Sequence, residues 1–182
     1  AGDACVLWCL AIRNAVLSGD LDVRVGLPHV PAERRELWVE RIEVAEQSRP
    51  WGFSQYDSAD GASNGWVVRA LQGAWCAIAT TPADGPQHLQ LALEEAVRGG
   101  DDADTVAAIA GALLGAAYGA SAVPAHWRRI MHGWPGLRAR DLIVLGQRVA
   151  RRGDIRQGVW PRVDRFDYSG LKDVGVLVEH PL

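Results

Sequence analysis

Residues 99–119 read Gly-Gly-Asp-Asp-Ala-Asp-Thr-Val-Ala-Ala-Ile-Ala-Gly-Ala-Leu-Leu-Gly-Ala-Ala-Tyr-Gly, and this stretch restricts the fold more than any other. A double glycine stops one helix, and a second helix of mostly small residues starts at once. Ala103, Ala107, Gly111, Gly115 and Gly119 recur every fourth position and so form one stripe along that helix. Glycine inside a helix costs about 0.5–1 kcal/mol relative to alanine. The repeated glycines therefore predict a neighbouring helix at close range to Gly111 and Gly115. The run is too short and too glycine-rich to span a membrane.

Helical periodicity dominates the rest of the chain, and strand alternation is nearly absent. A first helix is expected over Asp3–Leu17, with Val6, Leu7, Leu10, Ala11 and Leu17 on one side, ending at Ser18-Gly19. Pro31 opens a second through Leu37, Val39 and Ile42. Pro50–Ser63 reads as a loop. Helices follow over Trp66–Ile78, over His88–Val97, from Pro124, and over Arg138–Arg151. His132-Gly133-Trp134-Pro135-Gly136 reads as a turn between helices. The fold class is all-α.

With 182 residues, 48% of them hydrophobic, the chain can bury one core. Its net charge of −3 argues against a general nucleic-acid binder, which would carry a basic face. No signal peptide or membrane span is visible, so a cytoplasmic location is expected. Cys5, Cys9 and Cys76 read as reduced core residues. The eight tryptophans are mostly expected to pack.

The chemistry concentrates at the start of the small-residue helix. Asp101, Asp102, Asp104 and Thr105 place hard oxygen donors on backbone fixed at a helix N-terminus, a donor set suited to Mg²⁺ or Mn²⁺. Asp and Thr are also ordinary N-caps, and acidic residues favour the positive end of the helix dipole. Asp102-x-Asp104 further fits the short signature of haloacid-dehalogenase-like phosphatases. That chemistry needs a hydrophobic strand leading into the first aspartate, whereas Glu94–Gly100 is a helix end, and the reading is set aside.

Asp102-Ala103-Asp104-Thr105, the helix Ala110–Gly119 and Val123-Pro124-Ala125-His126-Trp127 together resemble the ADP-ribosylglycohydrolase (ADP-ribosyl-acceptor hydrolase) family. In that family an Asp-Thr-Asp-Thr motif runs into an Ala-Gly-rich helix and then a Val/Ile-Pro-x-x-Trp element. The resemblance implies an orthogonal helical bundle and a metal-dependent hydrolase that removes ADP-ribose from proteins or related conjugates. By motif position it makes Asp102, Asp104 and Thr105 ligands of two Mg²⁺ or Mn²⁺ ions. Ala103 departs from the family's threonine, at a position that is not a principal ligand.

The family's N-terminal metal motif has no counterpart in these residues. The chain is therefore expected to be the C-terminal half of a larger hydrolase, residues 1–152, followed by an irregular tail or linker, 153–182. The N-terminal half would be its partner and would supply the general base and the remaining ligands. The resemblance also matches Gly61, Ser63, Asn64, Gly65 and Trp66 to a Ser-Gly-Tyr-Val-like segment lining the ADP-ribose cleft. Asn64 there replaces a small residue and Trp66 a tyrosine. Backbone N–H groups at a helix start can cradle phosphate or ribose oxygens. A plain Ser/Asn cap over a buried Trp66 fits the same residues. The alternative to an enzyme is a catalytically silent ADP-ribose-binding or structural relative with the same fold.

Overall fold

A computed structural model describes residues 1–54 and 63–150. The order is α1 (Gly2–Ser18), α2 (Ala32–Glu46), α3 (Val67–Thr80), α4 (Gln87–Arg98), α5 (Ala103–Tyr118), α6 (Ala125–Ile130), β1 (His132–Gly133), β2 (Leu137–Arg138) and α7 (Ala139–Ala150). Short 3₁₀ turns cover Arg24–His29, Pro50–Phe53 and Ala120–Ala122. The fold is all-α; among the described residues the strands are limited to a short antiparallel ribbon pairing His132 with Arg138 and Gly133 with Leu137. That ribbon occupies the turn expected at His132–Gly136. The chain divides into two compact units, Ala1–Val123 and a second beginning at Pro124. The expected tail, 153–182, lies outside the described residues. Among the described residues no helix is long and apolar enough to cross a membrane.

Within the first unit, α1, α2, α3 and α5 share a core in which Leu7, Ile42, Phe53, Leu113 and Leu114 are fully buried. Polar side chains fasten the helices at their margins. The Trp8 indole donates to Ile109 O at 3.1 Å, joining α1 to α5, and Gln72 Nε2 donates to Arg41 O at 3.0 Å, joining α3 to α2. Glu46 accepts from both Arg24 and the Trp75 indole, and the Arg24 bond holds its carboxyl below the ordinary range. Buried His88 has Nε2 2.8 Å from Ile78 O, and a carbonyl only accepts, so Nε2 carries the proton. Nδ1 then accepts from the Tyr118 hydroxyl at 2.9 Å, tying the ends of α3 and α5 to the start of α4.

The helices lie where periodicity puts them, but two buried faces differ from expectation. In α1 the core side is Ala4, Leu7, Trp8, Ala11 and Ala15, while Val6 and Leu17 are exposed. Positions 4, 7, 8, 11 and 15 follow the 3.6-residue repeat, and 6, 10 and 17 fall on the opposite side. Likewise α2 buries Trp38, Ile42 and Ala45 and leaves Leu37 exposed. Cys5 and Cys9 are exposed rather than core; Cys76 is buried, and burial pushes its thiol up to about 11. Trp8, Trp38 and Trp75 are in the core, whereas Trp51, Trp66 and Trp134 are exposed.

The glycine stripe of α5 is corrected at Gly115, while Gly111 faces α4. Its buried face is Val106, Ala110, Leu113 and Leu114. A four-residue repeat turns about 40° per step away from a fixed face, so the stripe drifts outward along the helix. A Cβ on Gly111 would meet only Leu93 Cδ2 of α4, at 3.5 Å, and one on Gly115 would meet nothing within 4 Å. Close approach occurs elsewhere. A Cβ on Gly26 would lie 2.7 Å from Leu7 Cα, and one on Gly99 3.3 Å from Pro50 O.

Asp3 joins α1 to α2 by accepting from Arg34 Nε at 2.7 Å and from the Trp38 indole at 3.1 Å. The Arg34 bond, and after it the Trp38 bond, holds the Asp3 carboxyl at about 2, against an ordinary 3.8. The unfolded chain thus takes up this proton at higher pH than the folded one. The contribution is fully present above pH 3.8 and is lost as pH falls through about 2. In acid unfolding followed by circular dichroism, Asp3→Asn is expected to flatten the stability slope across that window and leave it unchanged above it.

Candidate functional site

The site forms where the N-termini of α3 and α5 meet. After α4, Gly100 (φ 73°) and Asp101 (φ 57°) both take left-handed backbone, which swings the chain directly into α5. Gly100 adopts this without penalty; for Asp101 it is a conformation the surroundings must hold. Those surroundings come from Ser63-Asn64. Asn64 is 2% exposed, and both ends of its amide are engaged: Nδ2 donates to Gly100 O at 3.0 Å, and Oδ1 accepts from the Asp102 N–H at 2.9 Å. The Ser63 hydroxyl donates to Asp101 Oδ2 at 2.8 Å and accepts from the Gly65 N–H at 3.0 Å.

Asp102 occupies the N-cap position of α5 but makes no side-chain cap hydrogen bond. Its ψ of 54° departs from the extended backbone of an ordinary N-cap, so its carboxylate is not spent on its own helix. Instead Asp102 Oδ2 lies over Gly65, 3.5 Å from where a Cβ on that glycine would stand. A Cβ at 65 would be in ordinary van der Waals contact with the carboxylate. Asp104 and Thr105 lie in the first turn of α5 and are exposed.

The structure thus brings Ser63, Asn64 and Gly65 against Asp101 and Asp102, with Asp104 and Thr105 following on the helix. Gly61 lies outside the described residues. Trp66 is 49% exposed rather than a buried residue under a cap. Its ring lies 5.9 Å from the Arg41 guanidinium, which also stands 4.9 Å over Trp38. Sequence reasoning missed Arg41, because nothing local in α2 signals that it reaches the start of α3. It also left the bond between Asp101 and Ser63 unidentified.

Two carboxylates and a hydroxyl are chemically suited to a hard divalent cation. The unspent Asp102 carboxylate makes the fit better than a simple cap would. Among the described residues no three His, Cys, Asp or Glu side chains gather as a metal cage. The chain therefore offers an open, partial donor set.

Residues 1–157 match the ADP-ribosylglycohydrolase family model. The chain belongs to this family. Among curated proteins, the ADP-ribosylarginine hydrolase Tri1 of Serratia proteamaculans (strain 568) is 32% identical over 117 residues, 64% of this chain and 28% of that relative. The chain thus spans well under half of the relative's length. No solved structure matches. In this chain Asp101 and Asp102 sit where the approach to α3 meets the start of α5.

Proposed function

We propose that this ADP-ribosylglycohydrolase chain carries part of the active site of a metal-dependent hydrolase that cleaves the glycosidic bond between ADP-ribose and its acceptor. The observation that carries the proposal is Asp102, an N-cap aspartate that does not cap. Asp102, Asp104 and Thr105 would hold a pair of Mg²⁺ or Mn²⁺ ions, with further ligands and the general base supplied by residues outside these 182. Such ions supply Lewis-acid orientation of the ribose hydroxyls and of the attacking water.

The chain's own residues contribute position. Gly65, just before α3, lies beside Asp102, and Trp66 next to it in the chain is exposed; here ADP-ribose oxygens and an aromatic ring would be received. The acceptor of the curated relative is arginine by its name; for this protein an ADP-ribosylated protein side chain is the proposed substrate class.

The test is release of ADP-ribose from ADP-ribosylated arginine and serine peptides by the full-length protein, with Mg²⁺ or Mn²⁺. Release that stops on chelation is expected. Absence of release with either metal, together with ADP-ribose binding that ignores chelator, would instead identify a binding module.

A further inference from the structure

Building on the metal reading above, we infer that Asn64 is a positioning residue that keeps the Asp102 carboxylate available to a cation. The two residues are 38 apart in sequence and joined by one hydrogen bond, while the other end of the same buried amide holds Gly100 O. An amide side chain suits this place because the backbone presents one acceptor, Gly100 O, and one donor, the Asp102 N–H. Alanine or leucine would satisfy neither of them.

The amide also fixes a conformation. Gly100 and Asp101 are both left-handed, and Asp102 follows with a ψ of 54°. With the Asp102 N–H anchored to α3's approach, the Asp102 backbone is held away from the extended geometry from which an N-cap aspartate bonds its own helix. Release of that anchor would let the loop relax and let the carboxylate turn back to cap α5. The carboxylate would then be partly spent on backbone N–H groups and no longer free for a metal. Ser63 braces the same loop through Asp101, but it touches neither Gly100 O nor the Asp102 N–H, so it does not replace Asn64.

The experiment uses the full-length protein, with Mn²⁺ affinity read by electron paramagnetic resonance and amide exchange read by mass spectrometry. Asn64→Ala is expected to weaken Mn²⁺ binding by roughly tenfold, as loss of a partner that orients a ligand does. It should also expose the Asp102 amide to exchange and raise protection at the first turn of α5. Asn64→Asp keeps the oxygen that faces the Asp102 N–H, turns the donor facing Gly100 O into an acceptor, and adds a negative charge beside the aspartates. It is expected to retain that protection and to bind Mn²⁺ at least as well as the parent.

A parent-like Mn²⁺ affinity in Asn64→Ala overturns the inference if Asp102→Ala has lost affinity. If Asp102→Ala also binds as the parent does, the metal reading itself fails. Should Asn64→Ala not fold, Asn64→Asp decides the matter, and a tenfold loss of affinity there contradicts a positioning role through the Asp102 N–H.

Discussion

Gly26→Ala is expected to destabilise the protein by about 1–3 kcal/mol or more, the cost of forcing an extra carbon into a packed interior. Gly26 is buried in the turn Arg24–His29, which lies against α1. A Cβ there would stand 2.7 Å from Leu7 Cα, 3.0 Å from Leu7 Cδ2 and 3.3 Å from Leu7 O. Two of these atoms are backbone of a helix, so rotation of a side chain cannot relieve the clash. Either the turn lifts from α1 or α1 shifts on α5. At this chain length each kcal/mol lowers the unfolding midpoint by about 2–4 °C. Thermal unfolding checks the value, with Gly115→Ala as the control. Gly115 has open space around it and should lose no stability on gaining a methyl group. Equal midpoints for both variants would contradict the packing described for α1.

The second large effect is functional. Asp104→Ala is expected to lower metal-dependent ADP-ribose release by the full-length protein by at least about 100-fold. Changing a residue that merely orients a ligand already costs 10–100-fold. Stability should move by no more than about 1 kcal/mol, because Asp104 is exposed and its favourable place at the helix N-terminus is worth about 0.3–1 kcal/mol. Relief of repulsion from neighbouring carboxylates offsets part of that. A variant that unfolds, with metal-dependent release intact in the folded remainder, would make the aspartates structural caps.

Much of the fold was legible in the sequence because glycine and proline punctuate it. The first helix was read as Asp3–Leu17 and spans Gly2–Ser18, closed by left-handed Gly19. The fourth was read as His88–Val97 and spans Gln87–Arg98. Faces were harder. Val6 and Leu17 looked like core because they are large and apolar, yet α1 buries a narrow, alanine-rich stripe that admits the turn at Gly26. On α5, small size at every fourth position suggested close contact at Gly115, where none exists, because packing follows Val106, Leu113 and Leu114. Residue size carries no record of which side a neighbour takes.

The site divides in the same way. The oxygen donors were visible because Asp102, Asp104 and Thr105 are adjacent in the chain. The groups around them were not, because they come from other elements. Asn64 reads locally as an ordinary cap; its buried amide bridge to Gly100 and Asp102 exists only once α3 and α5 are packed. Arg41 beside Trp66 depends on the placement of α2.

The central claim is that the start of α5 is a metal-binding end of an ADP-ribosylglycohydrolase active site. It is tested most directly by crystals of the full-length protein grown with Mn²⁺, with diffraction recorded at the manganese absorption edge. The account predicts an anomalous peak within coordination distance of carboxylate oxygens of Asp102 or Asp104, absent in Asp104→Ala crystals. Manganese located elsewhere, with the Asp102 carboxylate hydrogen-bonded to the N–H groups of its own helix, would contradict it.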